Sequence, residues 1–154
     1  MIERVEFGGV AFAIILRSSF REPGIHFFTP GDFSQQLGYM RHPAGHAIEP
    51  HVHNAVQRAV HFTREVLFVR RGRLRVDFYT DAGAYLESRE IGAGDVVLLA
   101  AGGHGFEVLE EIEMIEVKQG PYVGDADKTR FKGIAASEVR YPEPCGGPTK
   151  KLSS

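Results

Sequence analysis

The stretch Glu65-Val-Leu-Phe-Val-Arg70-Arg-Gly72-Arg-Leu-Arg75-Val-Asp-Phe-Tyr79 decides the fold. Its second half alternates strictly, with Leu74, Val76 and Phe78 on one side and Arg73, Arg75 and Asp77 on the other. That is the period of a pleated strand, whose successive side chains point to opposite faces. The first half, Glu65 to Arg70, is apolar-rich, and Arg71-Gly72 between the halves reads as a turn, so the stretch predicts a β-hairpin. Asp81-Ala82-Gly83 supplies a second turn. Downstream, Gly92-Ala-Gly-Asp95 introduces Val96 to Leu99, and Phe106 to Leu109 and Ile112 to Val117 follow at intervals suited to further short strands. Eighteen glycines and eight prolines punctuate the 154 residues into short segments of this kind, which predicts an all-β sandwich or barrel.

Working outward, Val10 to Leu16 fits either a strand or a buried helical turn, because periodicity alone does not separate them. Thr29 to Leu37 predicts one short helix with Asp32 as a cap. Beyond Gly120-Pro121 the alternation stops, and residues 141–154, rich in proline and glycine, read as a flexible tail behind a single domain of residues 1–140. The 43% hydrophobic content suffices for one core. With 18 basic and 20 acidic residues the formal charge is −2, so nothing draws the chain to nucleic acid or to an anionic membrane. The longest apolar runs fall far short of the roughly 20 residues that span a bilayer. The start Met-Ile-Glu-Arg-Val-Glu lacks the pattern of a secretory signal, and a cytoplasmic location is the expectation. Cys145 stands alone, which excludes an intrachain disulfide and a Cys-rich zinc site. Nucleophile-elbow, phosphate-loop, dinucleotide-fingerprint and H-E-x-x-H motifs do not occur.

Seven histidines remain to be placed. In His51-Val52-His53 the spacing puts both imidazoles on one face if the segment is a strand. Twelve residues on comes Glu65, and His104 sits among the small residues of Ala100-Ala-Gly-Gly-His104-Gly-Phe106, where backbone or ligand can approach closely. Imidazole and carboxylate together suit a divalent transition metal: Zn, Fe, Mn or Ni. Glu116 and Lys118 share strand parity and could face the same interior as an acid/base pair. Arg70, Arg71, Arg73 and Arg75 could clamp an anion, although a solvated turn is the simpler reading.

Gly45-x5-His51-x-His53, then Glu65-x6-Gly72, then Gly94-Asp95 running on to Gly102 and His104, resembles the two signature motifs of the cupin superfamily, in their usual order. The resemblance spans about Gly45 to Leu109, within a motif-bearing core of residues 38–120. It implies a double-stranded β-helix of jelly-roll type with few short helices, and a divalent metal held by three histidines and one glutamate. Carried over position by position, the metal ligands are His51, His53, Glu65 and His104. The chain departs from the pattern in four places, one being that His104 comes one residue early relative to Gly102. Residues Asn54 to Arg64 form an apparent insertion beside the site, Ala100 stands where the second motif prefers proline, and Val108 stands where it often ends in asparagine. The insertion carries Gln57 and His61, either of which could replace Glu65.

Three functions follow from the resemblance. The first is a small metalloenzyme of isomerase, dioxygenase or decarboxylase type acting on a small polar, sugar-like or carboxylated molecule, similar to small cupins associated with polysaccharide and sugar-nucleotide gene clusters. The others are a non-catalytic ligand-binding cupin and a metal-free sugar-nucleotide epimerase. Leu67 and Val69 share one face of the Glu65 segment while Val66 and Phe68 share the other, and both faces are apolar. Something must cover the second face, and a homodimer is the expectation, to which the resemblance also points, with the chain's own N-terminal segment as the alternative.

Overall fold

In the computed structural model, which describes residues 1–142, the decisive stretch is a single strand of 15 residues, β5 (Glu65–Tyr79), and not a hairpin. Gly72 does not reverse the chain. It sits at φ 86°, and register shifts flank it between Val69 and Arg71, Arg71 and Arg73, and Arg73 and Leu74, the signature of a β-bulge. A Cβ at Gly72 would stand 1.9 Å from the carbonyl oxygen of Glu111 on the neighbouring strand, so only glycine fits. The bulge also accounts for the pattern read as two strands. Leu67 and Val69 are odd-numbered while Leu74, Val76 and Phe78 are even-numbered, yet all five are buried in one core. One irregular residue in a strand shifts parity just as a turn does, without changing direction.

Around β5 the chain forms β1 (Ile2–Phe7), β2 (Val10–Leu16), β3 (Gly24–Phe27), β4 (Gly38–Arg41), β6 (Tyr85–Gly92), β7 (Val96–Leu99) and β8 (Gly103–Lys118), with short 3-10 turns at Gly124–Asp127 and Ala136–Glu138. The main sheet runs β1-β2-β7-β5-β6 with β8 also paired to β5, and β3 and β4 form a separate ribbon. Every pairing is antiparallel. Val10 to Leu16 is thereby settled as a strand, and the two short strands expected at 106–109 and 112–117 are parts of the 16-residue β8. Thr29 to Leu37 is not a helix. The Phe33 N–H donates to Pro30 O and the Thr29 hydroxyl takes the Leu37 N–H, local bonds in which a Pro30-Gly31-Asp32 turn competes with helix formation.

The sheet curls strongly without closing. Glu65 pairs with Leu99 on one side and Lys118 on the other, whereas Tyr79 pairs with Tyr85 and Gly103, so the two ends of β5 take different neighbours. The inner core gathers Phe12, Ala13 and Ile15 of β2, Leu67, Val69, Leu74, Val76 and Phe78 of β5, and Val97 and Leu99 of β7. On the opposite face Ile14, Leu98 and Ala100 pack with Leu37, Phe28 and Phe33, and Val66 leans on the same cluster. The chain's own residues 28–37 therefore cover part of the second apolar face, while Phe68, Ile115 and Val117 stay 40%, 48% and 55% exposed. The result is a predominantly β, jelly-roll-like half-barrel with an open rim. Residues 143–154, which include Cys145 and most of the expected tail, lie outside the described residues. Immediately before them Tyr141 is tied down, its hydroxyl donating to Glu90 Oε1 at 2.9 Å.

Candidate functional site

Glu65 opens β5 with its side chain on the face of Leu67 and Val69, and that side chain is only 8% exposed. A buried carboxylate needs partners. His104 supplies the first, its Nε2 lying 3.2 Å from Glu65 Oε2. In the ladder His104 stands opposite Phe78, thirteen positions along β5 from Glu65, roughly 43 Å of extended strand at about 3.3 Å per residue. The curl of the sheet is what brings the two together. The connection from β7 to β8 is closely packed. A Cβ on Gly102, which sits at φ 68°, would come within 2.2 Å of the Phe12 ring and 2.5 Å of Tyr79 O. The close approach expected of the small residues before His104 is thus made by backbone and ring, and it turns His104 back toward Glu65.

Lys118 closes the group. Its Nζ lies 3.9 Å from Glu65 Oε1 and 3.2 Å from Glu116 Oε1, so the residues paired by parity do face the same interior as Glu65. The Glu65 carboxyl is held below the usual carboxylate range, first by the hydrogen bond from His104, against the opposing effect of burial, and then by the charges of His104, Lys128 and Lys118. Lys118 is raised by its hydrogen bond to Glu116. Along the same face Phe106 and Val108, partners of Val76 and Leu74, remain 40% and 55% exposed, and the His104 and Phe106 rings sit 5.3 Å apart. The concave end therefore offers an imidazole, an ammonium, two carboxylates and an apolar wall.

The other expected ligands stand elsewhere. His51-Val52-His53 is not a strand: residues 42–64 carry no helix or strand, and both histidines are exposed. Their rings meet edge to face at 5.2 Å, and His51 Nδ1 lies 3.1 Å from Glu49 O. Pro43, Gly45 and Pro50, with no ladder partner for the segment, leave it no reason to extend. Gln57 and His61 are exposed in the same segment. Among the described residues no three of His, Cys, Asp or Glu are grouped so as to hold a metal ion. Of the four expected ligands the structure brings Glu65 and His104 into contact, and the Lys118 ammonium lies 3.9 Å from the same carboxylate.

The arginines of β5 pair with carboxylates, Arg70, Arg71 and Arg73 at solvent-exposed positions and Arg75 in the interior. Arg70 meets Glu113 at 2.7 Å, Arg71 meets Glu111 at 2.7 Å, and Arg73 meets both Glu90 and Glu110. Arg75 is buried, gripped by Asp77 at 2.8 Å and Glu107 at 2.7 Å, while Asp77 also accepts from Ser88 Oγ at 2.5 Å. In the sequence the bulge is hidden, and Arg71-Gly72 reads as a turn. Arg64, which no motif marks, stacks on Phe33 with its guanidinium 3.9 Å from the ring centroid. An arginine directly before a strand carries no pattern that would mark it.

Compared with family models, with curated proteins and with solved structures, this chain finds no match.

Proposed function

We propose that this chain is a small-ligand-binding protein of the cupin type, which takes a small polar molecule, hydroxylated or carboxylated, at the concave end of its half-barrel. The observation that carries this reading is the Glu65–His104 contact at 3.2 Å with Lys118 beside the same carboxylate. Lys118, 27% exposed in its side chain, can receive an anionic oxygen of the ligand. Glu116 can accept from ligand hydroxyls, and Phe106 can stack on an apolar ring face. Such a division, a few convergent polar groups on an apolar wall, is what small-molecule sites generally require.

A second reading, metal-free acid/base chemistry, is favoured by the same contact. When Nε2–H of a neutral His104 donates to Glu65, the lone pair lies on Nδ1, and that nitrogen can take a proton from a substrate while the carboxylate steadies the imidazolium. Glu65 would then be a positioning residue and His104 the base.

The test is a panel of sugar acids, sugar phosphates and hydroxy acids added to isotopically labelled protein, with amide shifts followed by NMR. Saturable shifts centred on the Gly103–Phe106 and Glu65 amides, lost in Glu65→Gln and His104→Ala, are expected. No saturable shift from any member, or one that survives both substitutions, overturns the reading. Elemental analysis of protein purified without chelator runs beside it. Near-stoichiometric metal that disappears in a His51→Ala, His53→Ala variant would instead support the metalloenzyme expectation, with the 42–64 segment carrying both histidines to Glu65.

A further inference from the structure

On the face of the sheet opposite Glu65 lies an unassigned cavity of about 410 Å³, between β1, the start of β2, the Pro30–Phe33 turn and the Ala100-Ala101 corner. Two guanidiniums, Arg4 and Arg64, line it. Arg17, Arg70, Arg71, Arg73, Arg75 and Arg89 each meet a carboxylate. Arg4 and Arg64 meet none among the described residues. Neutral groups hold them instead: Arg4 donates to Phe28 O at 2.7 Å, and Arg64 donates to Ser34 Oγ at 3.1 Å and Ala100 O at 3.4 Å while lying flat on Phe33. A guanidinium whose plane is fixed by a ring and two acceptors, and whose charge has no counter-charge, is preorganised for an oxyanion. Gly9, Ala11 and Ala101 put little side-chain bulk into the cavity, so a ligand can reach both cations.

We propose that this cavity is a second binding site, independent of the concave one, for a small molecule bearing a carboxylate or phosphate gripped by Arg4 and Arg64. Glu6 lines the same cavity and has no ion-pair partner among the described residues. It repels a bare anion and accepts from a hydroxyl or amine, so the ligand carries its donor at the end remote from the oxyanion.

The experiment titrates the full chain with inorganic phosphate and, separately, with acetate, at ionic strength held constant with chloride, following the Arg64 Nε–H and the Ala100 and Ala101 amides by NMR. Saturable shifts in the millimolar range are expected. If both anions bind, the shared oxyanion chemistry is sufficient; if phosphate alone binds, the ligand is a phosphate ester, and if acetate alone, a carboxylate. Arg4→Gln should weaken binding about tenfold, the loss of one charge-assisted hydrogen bond. Glu6→Gln should tighten binding of the bare anions, and His104→Ala should leave it unchanged. Arg64→Gln risks loosening the Phe33 turn, which is why the exposed Arg4 carries the decision. No saturation by either anion up to about 50 mM, shifts reproduced by chloride alone, or an Arg4→Gln variant that binds as the parent does would each overturn the proposal.

Discussion

Replacing Gly72 by alanine should be among the most destabilising single-methyl additions in this protein, and Gly83→Ala provides its control. Both glycines have a positive φ, 86° and 79°, so both substitutions carry the same backbone penalty of about 1–2 kcal/mol for an L residue in the left-handed region. They differ in what the new methyl meets. At Gly83 the nearest atoms are those of the Phe131 ring at 3.6 Å, an ordinary contact. At Gly72 the methyl falls 1.9 Å from Glu111 O and 2.7 Å from its carbonyl carbon. A comfortable carbon–oxygen separation is about 3.3 Å, so β5 and β8 must part by roughly 1.4 Å at the bulge. Backbone displacements of that order add about 1–3 kcal/mol. The expected totals are about 1–2 kcal/mol for Gly83→Ala and about 2–5 kcal/mol for Gly72→Ala. For a chain of this length each kcal/mol lowers Tm by about 3 °C. Urea unfolding monitored by far-UV circular dichroism reads both variants directly. A Gly72→Ala variant within about 0.5 kcal/mol of Gly83→Ala would refute the bulge and return Arg71-Gly72 to an open turn.

Further expectations concern charge and surface. Because the folded Glu65 carboxyl lies below its ordinary value of 4.5, its contribution is complete above that pH and fades as pH falls through the folded value. The stability gap between the parent and Glu65→Gln should therefore narrow between neutral pH and the acid range, and a gap independent of pH would contradict the His104 contact. Asp77→Ala leaves the buried Arg75 with Glu107 alone and should cost about 3 kcal/mol, read by chemical denaturation; a cost under about 1 kcal/mol would show that the guanidinium escapes to water. Ile115→Lys, at a 48% exposed position on β8, should change monomer stability by less than about 0.5 kcal/mol while shifting a homodimer toward monomer in sedimentation analysis. A sedimentation profile identical to that of the parent would remove β8 from any contact between copies.

The sequence by itself determined the all-β class and the extended character of the segments that became β5, β7 and β8. Leu74, Val76 and Phe78 alternate with charged residues, and that period allows one buried face whatever surrounds it. Strand parity, which is local, also put Glu116 and Lys118 on one face, while Glu65 and His104 were marked by the motif resemblance. What it could not determine was whether Arg71-Gly72 reverses the chain, since a bulge and a turn shift parity alike and are distinguished only by the partner strand, here by Glu111. Nor could it place His51 and His53: an i, i+2 pair shares a face only inside a ladder, and residues 42–64 have none. The site itself is a product of long-range curvature. His104 reaches Glu65 because β5 and β8 coil over the inner core, which turns a separation of roughly 43 Å along the strand into a contact of 3.2 Å. Periodicity records which face a side chain takes; how far the sheet bends is set by the summed packing of Phe12, Leu67, Phe78 and Val97 beneath it, and only the tertiary structure holds that sum.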